Sequence, residues 1–152
     1  MITTTLTCLT AALLASPVVL AEQKLRGNAQ GRQGPLTDGE VVVLDHQGQT
    51  LVSTHVDAHG SFELTIPHTD HYPVIVQVTP QSGSDKRPLK GYVVDDKTDS
   101  VTITPVSTRI VDIAMRVLGG LTKENLLIAS KHGLATSFGG TSGVGSDEHA
   151  GH

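Results

Sequence analysis

Cysteine, tryptophan and long apolar runs are what this chain has least of, and each shortage closes a class of function. The single cysteine, Cys8, lies in a leading segment, and tryptophan is absent. A chain without that segment forms no disulfide and has no thiolate for nucleophilic or soft-metal chemistry. A lipoprotein reading of Cys8 fails because the required apolar run would have to precede it. Aromatic side chains amount to Phe62, Phe138, Tyr72 and Tyr92, so any core must be aliphatic. Lys and Arg are scattered, and the formal net charge is −4, which argues against nucleic acid as a partner. No apolar run after Leu20 is long enough to predict a membrane span in the remaining chain.

Charge is also missing from the start: none occurs before Glu22. The stretch Cys8 to Leu20 is apolar, too short to cross a bilayer, and closes on Val19-Leu20-Ala21. This is the pattern of a secretory signal peptide cleaved near Ala21, although its first residues lack the usual Lys or Arg. It predicts four parts: a signal peptide over 1–21, a β domain over 22–104, a helical extension over 105–132 and a disordered Gly-rich tail over 133–152. Residues 22–152 suffice for one domain, since domains cluster at roughly 100–150 residues. The expected location is secreted or periplasmic.

What is present is strand pattern. Leu25 to Gly31 reads as a first strand. Glu40 to Leu44 is β-branched, Asp45-His-Gln-Gly48 is a turn, and Thr50 to Val56 follows as a strand. After the turn Asp57-Ala-His-Gly60, the residues Phe62, Leu64 and Ile66 alternate with Glu63 and Thr65, which predicts one buried face. Pro73 to Val78, Gly91 to Val94 and Ser100 to Thr104 complete the set. Short strands at this spacing predict an antiparallel sandwich.

The period changes at Pro105. Val106, Ile110, Ile113, Ala114, Val117 and Leu118 recur at helical spacing. Thr104 is placed to cap this helix, and Gly119-Gly120 to end it. Thr122 is placed to cap a second helix, from Lys123 to Lys131, with His132-Gly133 as its stop. The apolar face of helix 106–118 is wide. It either docks on the open sheet or receives a protein partner or a second copy.

In order, Leu25-x-Gly27, Gly39-Glu-Val-Val-Val-Leu-Asp45, Gly48, Val56-Asp57-Ala-His-Gly60-Ser-Phe62 and Ile66-Pro67 resemble the bacterial carboxypeptidase-regulatory-like domains. Val101-Thr-Ile-Thr104-Pro105-Val-Ser-Thr108 is similar to the segment that follows such domains in some surface-exposed bacterial proteins. The resemblance implies a mainly β protein: an antiparallel seven-stranded sandwich, prealbumin-like or Ig-like, here with a short C-terminal helical extension. It also implies a noncatalytic module with a binding or structural role at the cell envelope. His59 stands where an acidic residue is common in that turn, which weakens a calcium site. Prealbumin-like enzymes carry a terminal Tyr-Arg-Gly-Ser or a His-x-His, and this chain has neither.

Histidine is the one plentiful chemical residue, at eight, and it supports the alternative function, periplasmic metal binding. His68-Thr-Asp70-His71 sets two imidazoles and a carboxylate in one loop. In an up-and-down meander the turn with His46 lies at the same end, so His46, His68, Asp70 and His71 form a candidate copper or zinc site. His149 and His152, beside Asp147 and Glu148, form a second candidate in the tail. The opposing expectation for each is a set of solvated, unrelated histidines. His55 and His59 read as structural. No Gly-x-Ser-x-Gly elbow or phosphate loop occurs, and the protein is expected not to be an enzyme.

Overall fold

The computed structural model describes residues 22–67, 72–83 and 85–138, with the backbone alone over 134–138. The expected signal peptide, the loop with His68, Asp70 and His71, and the tail with His149 and His152 lie outside the described residues. Among those described, eight strands and two helices occur: β1 (Gln23–Gly31), β2 (Gly34–Pro35), β3 (Gly39–Leu44), β4 (Thr50–His55), β5 (Ser61–Ile66), β6 (Val74–Pro80), β7 (Leu89–Val93), β8 (Ser100–Ile103), α1 (Pro105–Arg116) and α2 (Lys123–Phe138). No described helix is long and apolar enough to cross a membrane.

The strands form two four-stranded sheets. In the first, β1 pairs antiparallel with β5 from Gln23↔Ile66 to Asn28↔Ser61, parallel with β8 from Arg26↔Ser100 to Ala29↔Ile103, and briefly with β2. The second, in the order β4-β3-β6-β7, is antiparallel throughout. The expected meander is therefore not the connection: the chain leaves β4 for β5 in the other sheet and returns to β6. The purely antiparallel expectation is corrected at β8, which runs parallel to β1. Alternation in a sequence reports which face of a strand is buried and says nothing of the direction of its neighbour.

Alternation does account for the core. Leu25 and Ala29 of β1, Val41 and Val43 of β3, Phe62, Leu64 and Ile66 of β5, Val74, Val76 and Val78 of β6, Val93 of β7 and Ile103 of β8 are all buried in one cluster. The two sheets thus bury their facing sides on each other. The Asp-x-x-Gly turns follow one rule. Asp45 Oδ1 accepts the N–H groups of Gln47 and Gln49, both at 2.9 Å. Asp57 Oδ1 accepts those of His59 at 2.8 Å and Ser61 at 2.9 Å. Each carboxylate replaces backbone partners that the reversal removes.

The second cluster is built by the helices on the outside of the second sheet. Ile75 of β6 meets Ile110, Val111 and Ala114 of α1 and Leu126 and Ala129 of α2, with Leu44 and Tyr92 at the margin. The apolar stripe of helix 106–118 therefore packs in cis, leaving Met115 and the flanking Val117 exposed. Thr104 caps α1, and Ser107 closes the box: Ser107 N–H donates to Thr104 Oγ1 at 3.1 Å, and Thr104 N–H to Ser107 Oγ at 2.8 Å. Thr122 Oγ1 accepts Asn125 N–H at 3.1 Å at the start of α2.

The boundary expected at 132 is corrected, because α2 continues through Gly133 to Phe138. Gly133 lies where α2 meets Ile110; a Cβ there would stand 2.9 Å from Ile110 Cγ1. The glycine serves close helix packing rather than the left-handed stop its sequence position suggested.

Candidate functional site

Polar side chains gather at several places among the described residues. The first is the end of the molecule that carries His46. Leu44↔Ile75 is the last pair of β3 with β6, so the turn after Leu44 lies beside the chain entering β6. His46 is exposed on that turn, whose Asp45 is buried. His68, Asp70 and His71 lie outside the described residues, so the four candidates are not placed together. Among the described residues no three His, Cys, Asp or Glu side chains are grouped closely enough to hold a metal ion. His55 and His59 sit at the other end of β4, in the strand end and turn that the sequence indicated.

The second place ties the beginning of β1 to the turn before β8. Tyr72 Oη donates to Gln23 Oε1, and Gln23 Nε2 donates to the carbonyls of Thr98 and, at 3.3 Å, Asp95. Burial pushes the Tyr72 phenol up from its ordinary value, and the nearby carboxylates of Asp96 and Asp95 push it the same way. A neutral phenol is therefore held as a donor. Every group in this network has an internal partner suited to joining three segments, so its role is to fix the start of β1.

The third place is a seam along the edges of the two sheets. Among the described residues, β4 pairs only with β3, and β5 pairs only with β1. Between them run two shallow cavities. One, of about 420 Å³, is lined by Arg26, Gly27, His55, Asp57, Ser61, Phe62 and Glu63. The other, of about 480 Å³, is lined by Val52, Ser53, Thr54, Glu63, Leu64 and Thr65. Arg26 Nε lies 3.5 Å from Glu63 Oε2, with both side chains more than half exposed. The two N–H bonds from Ser61 and His59 hold the Asp57 carboxyl below its ordinary value. Asp57 is thus an anion already engaged by backbone, which fits a turn anchor.

The β7 edge is treated differently. α1 lies along it: Lys90 N–H donates to Thr108 Oγ1 at 2.9 Å, Ser107 Oγ donates to Lys90 O at 2.6 Å, and Lys90 Nζ donates to Asp112 Oδ1 at 2.8 Å. The β7 edge is thus bonded to a helix, whereas β4 and β5 each have one open edge among the described residues. The sequence reading missed this seam, because edge position depends on strand order and no residue pattern in Thr50–His55 reports it. Its only sequence trace is the lack of charge in that strand.

No protein-family model matches the chain, and no curated protein matches it.

Proposed function

We propose that this protein is an exported, noncatalytic β module, of prealbumin-like or Ig-like sandwich form and similar to carboxypeptidase-regulatory-like domains, that binds protein at the cell envelope. The observation that carries the reading is the β4/β5 seam, open among the described residues, opposite the β7 edge that α1 covers. Strand edges left open are where extended segments of other chains add. Helix 106–118 offers only Met115 and Val117 beyond its own packing, so the partner surface is assigned to the seam. Cleavage near Ala21 leaves Gln23 in place to bond Tyr72 and the turn at Thr98, which is compatible with a secreted or periplasmic domain that folds from residue 22.

A second reading, copper or zinc binding through His46, His68, Asp70 and His71 with help from His149 and His152, draws on the Leu44↔Ile75 pairing. That register brings the His46 turn alongside the chain that follows the His68–His71 loop.

One preparation separates these. The chain is expressed with its first 21 residues, recovered from the cell envelope and medium, and examined by intact mass and metal analysis. The expected product begins at Glu22 and carries no stoichiometric metal after titration with Cu²⁺ and Zn²⁺. An unprocessed chain retained in the cytoplasm sinks the export reading. One tightly held equivalent of metal, lost in His68→Ala/His71→Ala, makes metal handling the function.

A further inference from the structure

Among the described residues β4 keeps one edge open. Val56 N–H donates to Gly39 O at 3.0 Å, and Val41↔Thr54 and Val43↔Val52 continue the pairing. Alternation along an antiparallel ladder then turns the backbone groups of Val52 and Thr54 toward β3 and those of Ser53 and His55 away from it. Ser53 and His55 are exposed. Proteins guard such edges with charge, proline, a bulge or a covering element, and Thr50–His55 holds no Lys, Arg, Asp, Glu or Pro. Around this strand the charge is mostly of one sign. The Lys and Arg residues are scattered over 24–32 and 86–131; none of the 11 lies between Arg32 and Lys86, the stretch that supplies β3, β4, β5 and β6. That stretch brings exposed Asp38 and Glu40 to the start of β3, Asp57 to the turn after β4 and Glu63 to β5. Glu40 stands directly opposite His55 in the β3/β4 register, and Glu63 lines both cavities of the seam. Among the described Lys and Arg residues only Arg26 lines either cavity, 3.5 Å from Glu63.

We propose that the β4 edge takes an extended segment of another protein in which Lys or Arg alternates with apolar residues. The assignment rests on the module reading for the seam and names the chemistry of its partner. The backbone groups of Ser53 and His55 supply the hydrogen bonds, as in strand addition generally. A strand laid there sends alternate side chains to opposite faces of the sheet. Toward β5, Val52, Thr54 and Leu64 line a cavity that suits apolar side chains. On the other face the segment's remaining side chains come beside His55 and its partner Glu40. Charge chooses the occupant. Carboxylates at Glu40, Asp57 and Glu63 attract a basic segment and repel an acidic one, and they set a second copy of this chain, net −4, against the first. Arg26 does not cancel them, because its pair with Glu63 is more than half exposed on both sides and such pairs hold weakly.

Synthetic octapeptides test this on the purified chain: one alternates Lys with Val, one alternates Glu with Val, and one is the Lys peptide with Pro in place of its central Val residues. The Lys peptide is expected to bind, to slow amide exchange at Ser53 and His55, and to weaken as salt rises. The Glu peptide, and the Pro peptide that lacks N–H groups for the ladder, are expected to leave both amides unprotected. Glu40→Lys and Glu63→Lys, at exposed positions on either side of the edge, should each weaken the Lys peptide at least about threefold. If one variant loses its native circular dichroism, the other decides. Equal binding of the Lys and Glu peptides, an undiminished Pro peptide, protection confined to other segments, or no binding overturns the assignment. Protection of Ser53 and His55 that rises with the chain's own concentration also overturns it, by making a second copy the occupant. Failure here beside a chain processed near Ala21 leaves the export reading intact, whereas an unprocessed chain that binds the Lys peptide sinks export alone.

Discussion

Two glycines show what single residues contribute. Gly27 stands opposite Phe62 in the β1/β5 register, and a Cβ at Gly27 would overlap the tip of the Phe62 ring. The ring lies over the bare backbone and fills a core otherwise made of aliphatic side chains. Gly27→Ala must displace Phe62, so a loss of about 3 kcal/mol is expected, at the upper end for overpacking, read as a lower midpoint in urea unfolding. Gly60 has φ +79°, and a Cβ there would stand 2.7 Å from Ala29 O; its own carbonyl accepts Ala29 N–H at 2.8 Å. The glycine of Asp-x-x-Gly-x-Phe is thus required by a turn pressed against β1. Asp57 in the same turn predicts a pH effect. Its folded pKa lies below the ordinary 3.8, so its contribution is present above that value and is lost as pH falls through the folded pKa. Thermal midpoints of wild type should fall below about pH 3.8 more steeply than those of Asp57→Asn, which keeps an oxygen acceptor; parallel curves would exclude this role.

At the scale of elements, α1 acts both as a lid on Ile75 and Tyr92 and as an edge cover for β7. The cover rests on Ser107, whose hydroxyl serves Thr104 and Lys90 together, and on the ion pair of Lys90 with Asp112, partly exposed at 24% and 36%. A cap is worth about 0.5–2 kcal/mol, whereas a pair this exposed contributes about 0–1 kcal/mol. Ser107→Ala should therefore cost more stability than Asp112→Asn, measured by denaturant midpoint, and should speed amide exchange at Lys90 more. Thr104, Pro105 and Thr122 were legible as helix signals because capping chemistry is local. Gly133 was misread as a stop because the reason for it, Ile110 of another helix, is remote in sequence.

For the whole molecule, the two apolar clusters share the second sheet: Val74, Val76 and Val78 face the first, and Ile75 faces the helices. The helical part is therefore the third layer of this fold over β6 and β7. A chain ending at Thr104 would expose Ile75, Leu44 and Tyr92 and uncover the β7 edge. It is expected to lose cooperative unfolding or to aggregate; a truncated chain with a sharp, unshifted transition would show that the sheets stand alone. The distribution of edges follows at the same scale, since α1 bonds the β7 edge of the second sheet and leaves its β4 edge open.

The sequence by itself determined the mainly β class, nearly every strand and its buried face, the two Asp-x-x-Gly turns and the helix caps. Those features rest on residue period and on bonds between neighbours a few positions apart. The tertiary structure decided the parallel seat of β8, the split of consecutive strands between two sheets, the passage of α2 through Gly133 and the open seam at β4. Each depends on which distant segment lies alongside, and side-chain alternation is the same for a strand at an edge, in a centre, or beside a neighbour of either direction.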